Sequence, residues 1–96
     1  MPEVAPLTHN EVLARLTRLP GWTLDSGRIV QEFKFEDFVA AMHFVNAVAA
    51  LAEAAGHHPD IDIRYNRVFL ALVSHDAGGI TENDCSMASR ISSISN

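Results

Sequence analysis

A single cysteine, Cys85, stands among 96 residues. No internal disulfide can form, which fits a reducing compartment, and the residue reads as a small core side chain. Positive charge is also scarce. Seven Lys and Arg face twelve Asp and Glu, for a formal net charge of −5. The basic residues are scattered, which argues against direct nucleic-acid binding, because phosphate contacts need clustered Lys and Arg. No apolar run approaches the ~20 residues that span a bilayer. The opening Met-Pro-Glu-Val-Ala-Pro lacks a basic segment followed by an apolar one, so no signal peptide is expected. Internal repeats and low-complexity segments are missing too. These absences predict a cytoplasmic protein with neither a membrane nor a nucleic acid as direct partner.

What is there is the composition of a globular domain, 48% hydrophobic and 20% charged, which is enough to bury a core. The length predicts one domain over residues 1–96. Thr8 and Glu11 form a candidate capping box, with Leu7 and Val12 placed as a hydrophobic staple. A first helix is expected over about 9–18, stopped by Pro20-Gly21. Trp22–Asp25 and Arg28–Phe35 read as two strands joined at Ser26-Gly27, with Ile29, Gln31, Phe33 and Phe35 on one face. Glu36-Asp37 opens an alanine-rich helix, in which Phe38, Met42, Val45, Ala49 and Ala52 recur at spacings of three and four. Gly56 suits its end, and Pro59 prevents continuation.

Asp60–Tyr65 alternates, with Ile61, Ile63 and Tyr65 on one face and Asp60, Asp62 and Arg64 on the other. Asn66-Arg67 is the expected turn. Val68–His75 is the most apolar strand and so the candidate central one. Asp76–Gly79 reads as a loop. Thr81 with Asp84 forms a second capping box, Ile80 and Cys85 its staple, and the last helix is expected to reach about Ile94. The order is α-β-β-α-β-β-α. It predicts an α+β fold: one four-stranded antiparallel sheet with three helices packed on one face and the other face open to water.

Three of the five histidines, His57, His58 and His75, fall between Glu53 and Asp84. Imidazole gives and takes protons near neutrality. Glu53 lies on the last helical turn, and His57 and His58 lie at its exit. Pro59 biases His58 to extended backbone. His75 ends the following strand, and the Gly78-Gly79 pair behind it leaves room for a ligand to approach. Since the two strands form a hairpin, residues 57–60 and 74–76 are expected to meet in space. A lone histidine at a strand end is usually a polar surface residue; three that converge beside an acid point to a site. Two chemistries fit them. One is a His₃ metal site, disfavoured because adjacent His57 and His58 do not both turn easily to one ion and no usual metal-ligand spacing occurs. The other is metal-free acid/base catalysis on a neutral substrate. Glu53 divides evenly between orienting an imidazole and being a plain surface acid. Asp84 reads first as a helix cap, and Tyr65 as a packing residue. His9 and His43 have no site argument.

The full pattern Glu-x₃-His-His-Pro-x₅-Tyr-x₉-His-x₈-Asp is met by Glu53, His57, His58, Pro59, Tyr65, His75 and Asp84. It resembles the pterin-4a-carbinolamine dehydratase family. Leu19–Trp22 and the Phe33-Lys34-Phe35…Phe38 segment are similar to that family as well. The resemblance implies dehydration of 4a-hydroxytetrahydropterin to quinonoid dihydropterin, which recycles the cofactor of aromatic amino-acid hydroxylases. It also implies no metal, no cofactor, and homodimers or homotetramers assembled through sheet edges and helices. An aromatic amino-acid hydroxylase is the implied protein partner. His57, His58 and His75 match the family's active-site histidines, with main chain around Ser74, His75, Asp76 and Ala77 holding the pterin's polar edge. Two positions depart. Ile61 stands where many relatives carry an aromatic residue, and Asn83 where some carry a basic one; both bear on substrate affinity. Animal members also serve a homeodomain transcription factor as dimerisation cofactors, and no residue here speaks for that role. The rival reading is a non-catalytic protein that binds a pterin, a hydroxylase or a transcriptional regulator.

Overall fold

Local rules place most of the element ends. A computed structural model of the chain describes residues 5–95. The Thr8 hydroxyl accepts from the Glu11 N–H and the Glu11 carboxylate accepts from the Thr8 N–H. That capping box opens α1 (His9–Leu16). Ser26 and Gly27 both take positive φ, the pair that a tight two-residue hairpin turn requires. They join β1 (Thr23–Asp25) to β2 (Arg28–Lys34). The Asp37 side chain accepts from the Ala40 N–H and starts α2 (Phe38–Ala55), which Gly56 ends in the left-handed region at φ 64. β3 (Asp60–Arg64) and β4 (Arg67–Leu72) form the second hairpin, and Thr81 and Asp84 close the second capping box at the head of α3 (Glu82–Ile94).

The four strands make one antiparallel sheet in the order β1-β2-β4-β3. β4 is thus a central strand, as its apolar run predicts. The register Ile29↔Leu72, Gln31↔Leu70 and Phe33↔Val68 sets those six side chains on one face. The three helices cover that face, with Val12, Phe44, Val48, Met87 and Ile91 buried against it. Each buried aliphatic side chain contributes about 1.5–3 kcal/mol. Trp22, Phe33, Phe44 and Phe35 stack in sequence with ring centroids 4.7–6.0 Å apart. The Trp22 Nε1–H donates to Ser92 Oγ at 2.9 Å, tying the start of β1 to α3. The opposite face of the sheet carries Val30, Phe69 and Ala71 among Arg28, Asp60 and Asp62.

Several expectations shift. The α2 stripe turns inward on Ala41, Phe44, Val45, Val48 and Ala52, leaving Phe38 and Ala49 outside. This helix is long and apolar enough to cross a membrane by length and composition, so the apolar-run argument alone is weaker than the sequence suggested. Here α2 serves as the helix between the two hairpins. The second turn falls at Tyr65-Asn66, one residue early, because Arg67 already pairs with Arg64 in the ladder. Tyr65 takes φ 54 and is exposed, so it does not pack. β3 is an edge strand beyond the reach of the helices, so all five of its residues are exposed despite the alternation. β4 stops at Leu72. Ser74 instead pairs with Gly79, and its carbonyl accepts from the Gly78 and Gly79 N–H groups. That closure coils His75–Ala77 into one 3-10 turn rather than a strand end.

Candidate active site

Gly56 lets α2 end in a left-handed turn, and the His57 N–H then donates back to the Ala52 carbonyl at 3.1 Å. The backbone of His57 is therefore held by α2 independently of its side-chain partner. That partner is Asp84, 27 residues on, with Nε2 2.5 Å from Oδ1. Asp84 sits at the third position of α3, where the capping box turns its carboxylate back to the helix start. Its second oxygen, Oδ2, accepts from the Thr81 N–H at 2.8 Å and from the Ser74 hydroxyl at 3.0 Å. The Thr81 hydroxyl, 2.9 Å from Ser74 Oγ, completes the chain and accepts from the Asn83 N–H.

Ser74, Thr81 and Asp84 are all buried. A buried carboxyl that accepts from the Thr81 N–H and the Ser74 hydroxyl is held as an acceptor by those two donors, and it faces His57 Nε2 with its other oxygen. A carboxylate acceptor requires a proton on His57 Nε2. Nδ1 is thereby left as the nitrogen free to take or give a proton, and the tautomer follows from the partner. Of residues 57–60 and 74–76, this one carboxylate links His57 and Ser74.

Glu53, His58, Pro59, His75, Asp76 and Ala77 make no hydrogen bond to His57 or Asp84, and neither His58 nor His75 lines the cavity beside His57. His58 Nε2 is 2.5 Å from Glu53 Oε2, one turn back on α2, in an exposed pair. Pro59 is half-buried behind it. His75 and Asp76 are exposed on the 3-10 turn that follows Ser74, and Ala77 is half-buried. The main chain of Ser74 is occupied within its own loop, the N–H by the Gly79 carbonyl and the carbonyl by three N–H groups. Among the described residues no three His, Cys, Asp or Glu side chains converge as a metal-binding set. Beside His57 opens a cavity of about 330 Å³, lined also by Ala54, Ala55, Asn83, Ser86 and Arg90. A larger, shallower groove of about 900 Å³ between α1 and α3 contains none of the histidines. It holds a bidentate Arg15–Glu82 pair and Cys85. Burial, with the nearby Glu82 and Asp84 carboxylates, pushes the Cys85 thiol up, so it is not poised as a nucleophile. The smaller cavity is the better candidate because an oriented imidazole borders it.

Sequence reasoning assigned Asp84 to the helix cap, and that reading is half of its structure. A capping-box acid uses one oxygen for the cap, so the other oxygen was the available signal. The sequence pattern marks Thr81 only as a cap residue and Asn83 only as a departure. Ser86 and Arg90 were not singled out.

A helix-backed antiparallel sheet, with an imidazole seated on a buried carboxylate at the exit of the central helix, defines a small α+β protein with a histidine–carboxylate site. More narrowly, the chain belongs to the family described as pterin 4 alpha carbinolamine dehydratase, whose model matches residues 5–94. It is 57% identical over 91 residues to a protein of Acidobacterium capsulatum that carries the provisional name pterin-4-alpha-carbinolamine dehydratase, covering 95% of this chain and 99% of that one. A Chloroflexus aurantiacus protein with the same provisional name is 54% identical over 88 residues, covering 92% and 95%. Among solved structures, a transcriptional coactivator/pterin dehydratase from Brucella melitensis superposes with a TM-score of 0.90 at 39% identity, over 95% of this chain and 99% of that one. A pterin dehydratase-like protein described as a RuBisCO assembly factor in the alpha-carboxysome shares the fold, with a TM-score of 0.65 at 24% identity over 78% and 87% of the chains.

Proposed function

We propose that this single-domain chain is a hydro-lyase that dehydrates pterin 4a-carbinolamine to quinonoid dihydropterin. The observation that carries the reading is His57, held by Asp84 with Nδ1 free, in a chain whose match to the family runs nearly end to end. The reaction breaks the C4a–O bond and the N5–H bond and forms the C4a=N5 double bond, releasing water. It needs a proton delivered to the leaving hydroxyl and a base for the N5 proton. Imidazoles serve both ends near neutral pH. His57 and His75 flank the reacting carbon in this proposal, and His58, backed by Glu53, is the second acid/base. Pro59 and the chain at Ser74, His75, Asp76 and Ala77 shape the pocket edge. Neither metal nor cofactor is required by this chemistry. The enzyme would act in the cytoplasm as a homodimer or homotetramer and serve an aromatic amino-acid hydroxylase by returning its pterin cofactor.

The test is a stopped-flow ultraviolet assay of 4a-hydroxytetrahydropterin dehydration, with wild type and His57→Ala side by side. Wild type should accelerate the reaction above its spontaneous rate. The variant should lose about 10²–10⁴-fold of the enzymic acceleration while keeping its fold. No acceleration by well-folded wild type sinks the proposal. A second reading, a protein-binding role, is supported by the double description of the Brucella protein as coactivator and dehydratase. Partner binding that survives in a His57/His58/His75 triple alanine variant would favour it.

A further inference from the structure

The cavity beside His57 has a polar wall that the proposed dehydration does not use. Asn83, Ser86 and Arg90 occupy successive turns of α3, at spacings of three and four, and so share one helix face. Across the cavity stand Ala54 and Ala55 at the end of α2, whose small side chains keep it open. Arg90 is exposed, and among the described residues it, like Arg18 on the far groove, has no carboxylate within ion-pair distance, whereas Arg15, Arg28, Arg64 and Arg67 each have one. The Asn83 amide and the Ser86 hydroxyl likewise have no hydrogen-bond partner there. The nearby acids are engaged elsewhere: Asp84 by His57, Ser74 and Thr81, Glu53 by His58, and Glu82 by Arg15. In a chain of net charge −5, one open cavity therefore presents an unpaired guanidinium and two neutral hydrogen-bonding groups, with the proposed proton-transfer imidazole at its end.

Resting on the dehydratase reading, we propose that this wall is a specificity subsite for an anionic oxygen group, phosphate or carboxylate, on the side chain of the pterin that reacts at His57. Guanidinium is the side chain best matched to such groups, since its planar donors meet two oxygens at once. Asn83 and Ser86 supply further donors. Arg90 here is a positioning residue, and it acts on binding.

The experiment measures KM and kcat for dehydration of two 4a-hydroxytetrahydropterins, one with a neutral 6-alkyl group and one with a phosphate monoester on its side chain. A third, with a side-chain carboxylate, separates the two anions. Wild type should show the lower KM for an anionic substrate. Arg90→Gln should raise that KM about tenfold more than it raises the neutral one, with kcat nearly unchanged, which corresponds to ~1.4 kcal/mol. Arg90→Lys should restore part of the difference, and Arg18→Gln, on the far groove, should leave both substrates as they are. Equal KM values for neutral and anionic substrates in wild type overturn the subsite. So does an equal rise for both in Arg90→Gln. If wild type turns over none of the three substrates, the dehydratase reading fails, and equilibrium binding of the phosphorylated tetrahydropterin decides the subsite separately. Saturable binding weakened about tenfold by Arg90→Gln supports it, and absent or unchanged binding overturns it.

Discussion

His57 and His58 are neighbours in the chain, and each sets Nε2 2.5 Å from a carboxylate oxygen. Their surroundings differ in every other way. The His57 side chain is 18% exposed and its acid, Asp84, 0%, while His58 and Glu53 are 62% and 78% exposed. Asp84 is also fastened by Thr81 and Ser74, whereas Glu53 has only His58. Contact distance alone would rank the pairs as equals. Water and the extra donors decide otherwise. An exposed pair gains little, because solvent screens it and two mobile side chains must be ordered. A buried carboxylate surrounded by donors is costly to disturb, because each donor left behind loses its partner in a place water does not reach. The first pair fixes a ring; the second leaves its ring largely in solvent.

The largest effect should come from cutting the buried side. Asp84→Ala strands the Ser74 hydroxyl, the Thr81 N–H and His57 together. We expect a loss of about 3 kcal/mol, seen as a melting temperature lowered by more than ~10 °C. Turnover should fall with it. A thermal melt within a degree or two of wild type would show the network to be dispensable. Asp84→Asn isolates the electrostatic part. An amide nitrogen turned to His57 would meet a lone pair on Nε2 and send the imidazole proton to Nδ1, the reverse of the arrangement a carboxylate imposes. The stability loss should be the smaller one, and turnover should still drop about 10²-fold or more. A variant as active as wild type would remove Asp84 from the mechanism.

On the exposed side, Glu53→Gln should cost less than ~1 kcal/mol and lower turnover only a few-fold. The loss should shrink in high salt, because exposed charges are screened. A drop as large as that of Asp84→Asn would erase the contrast between the two pairs. It would mean that substrate binding buries Glu53.

How much of this contrast was legible beforehand depended on sequence distance. Both capping boxes follow from residues three apart, and the first hairpin turn from Ser26-Gly27, because those interactions close within one turn of chain. The placing of β4 at the centre came from its apolar run. The His57–Asp84 contact spans 27 residues and depends on how α2 and α3 lie on the sheet, which no local pattern states. Its physical trace in the sequence is the capping-box acid with an oxygen to spare, beside the family pattern that holds His57 and Asp84 together. Tyr65 was misread because φ 54 at a hairpin turn is rare for an aromatic residue. His75 was misplaced because the Ser74–Gly79 closure competes with strand extension at positions where either fits the residue pattern. The alternation of β3 says which way its side chains point and not what covers them, and all five residues are exposed.

The smallest effect extends the contrast to a pair with better geometry and only partial burial of one member. Arg15 donates to both oxygens of Glu82 at 2.9 Å, joining α1 to the first turn of α3. The hydrogen bonds from Arg15 hold the Glu82 carboxyl below its ordinary value near 4.5, and the N–H and hydroxyl of Thr8 lower Glu11 in the same direction. A carboxyl whose folded value is depressed adds stability that is present above the unfolded value and is lost as pH falls through the folded one. Glu82→Gln should therefore lower the melting temperature by no more than a few degrees at pH 7. That difference should close as the pH drops below about 4.5, and 1 M salt should narrow it at neutral pH. Asp84→Ala should show neither the narrowing with salt nor so small a loss. If Glu82→Gln cost as much as Asp84→Ala, bidentate geometry would outweigh burial in this fold, and the ranking of the two histidine pairs by exposure would fall with it.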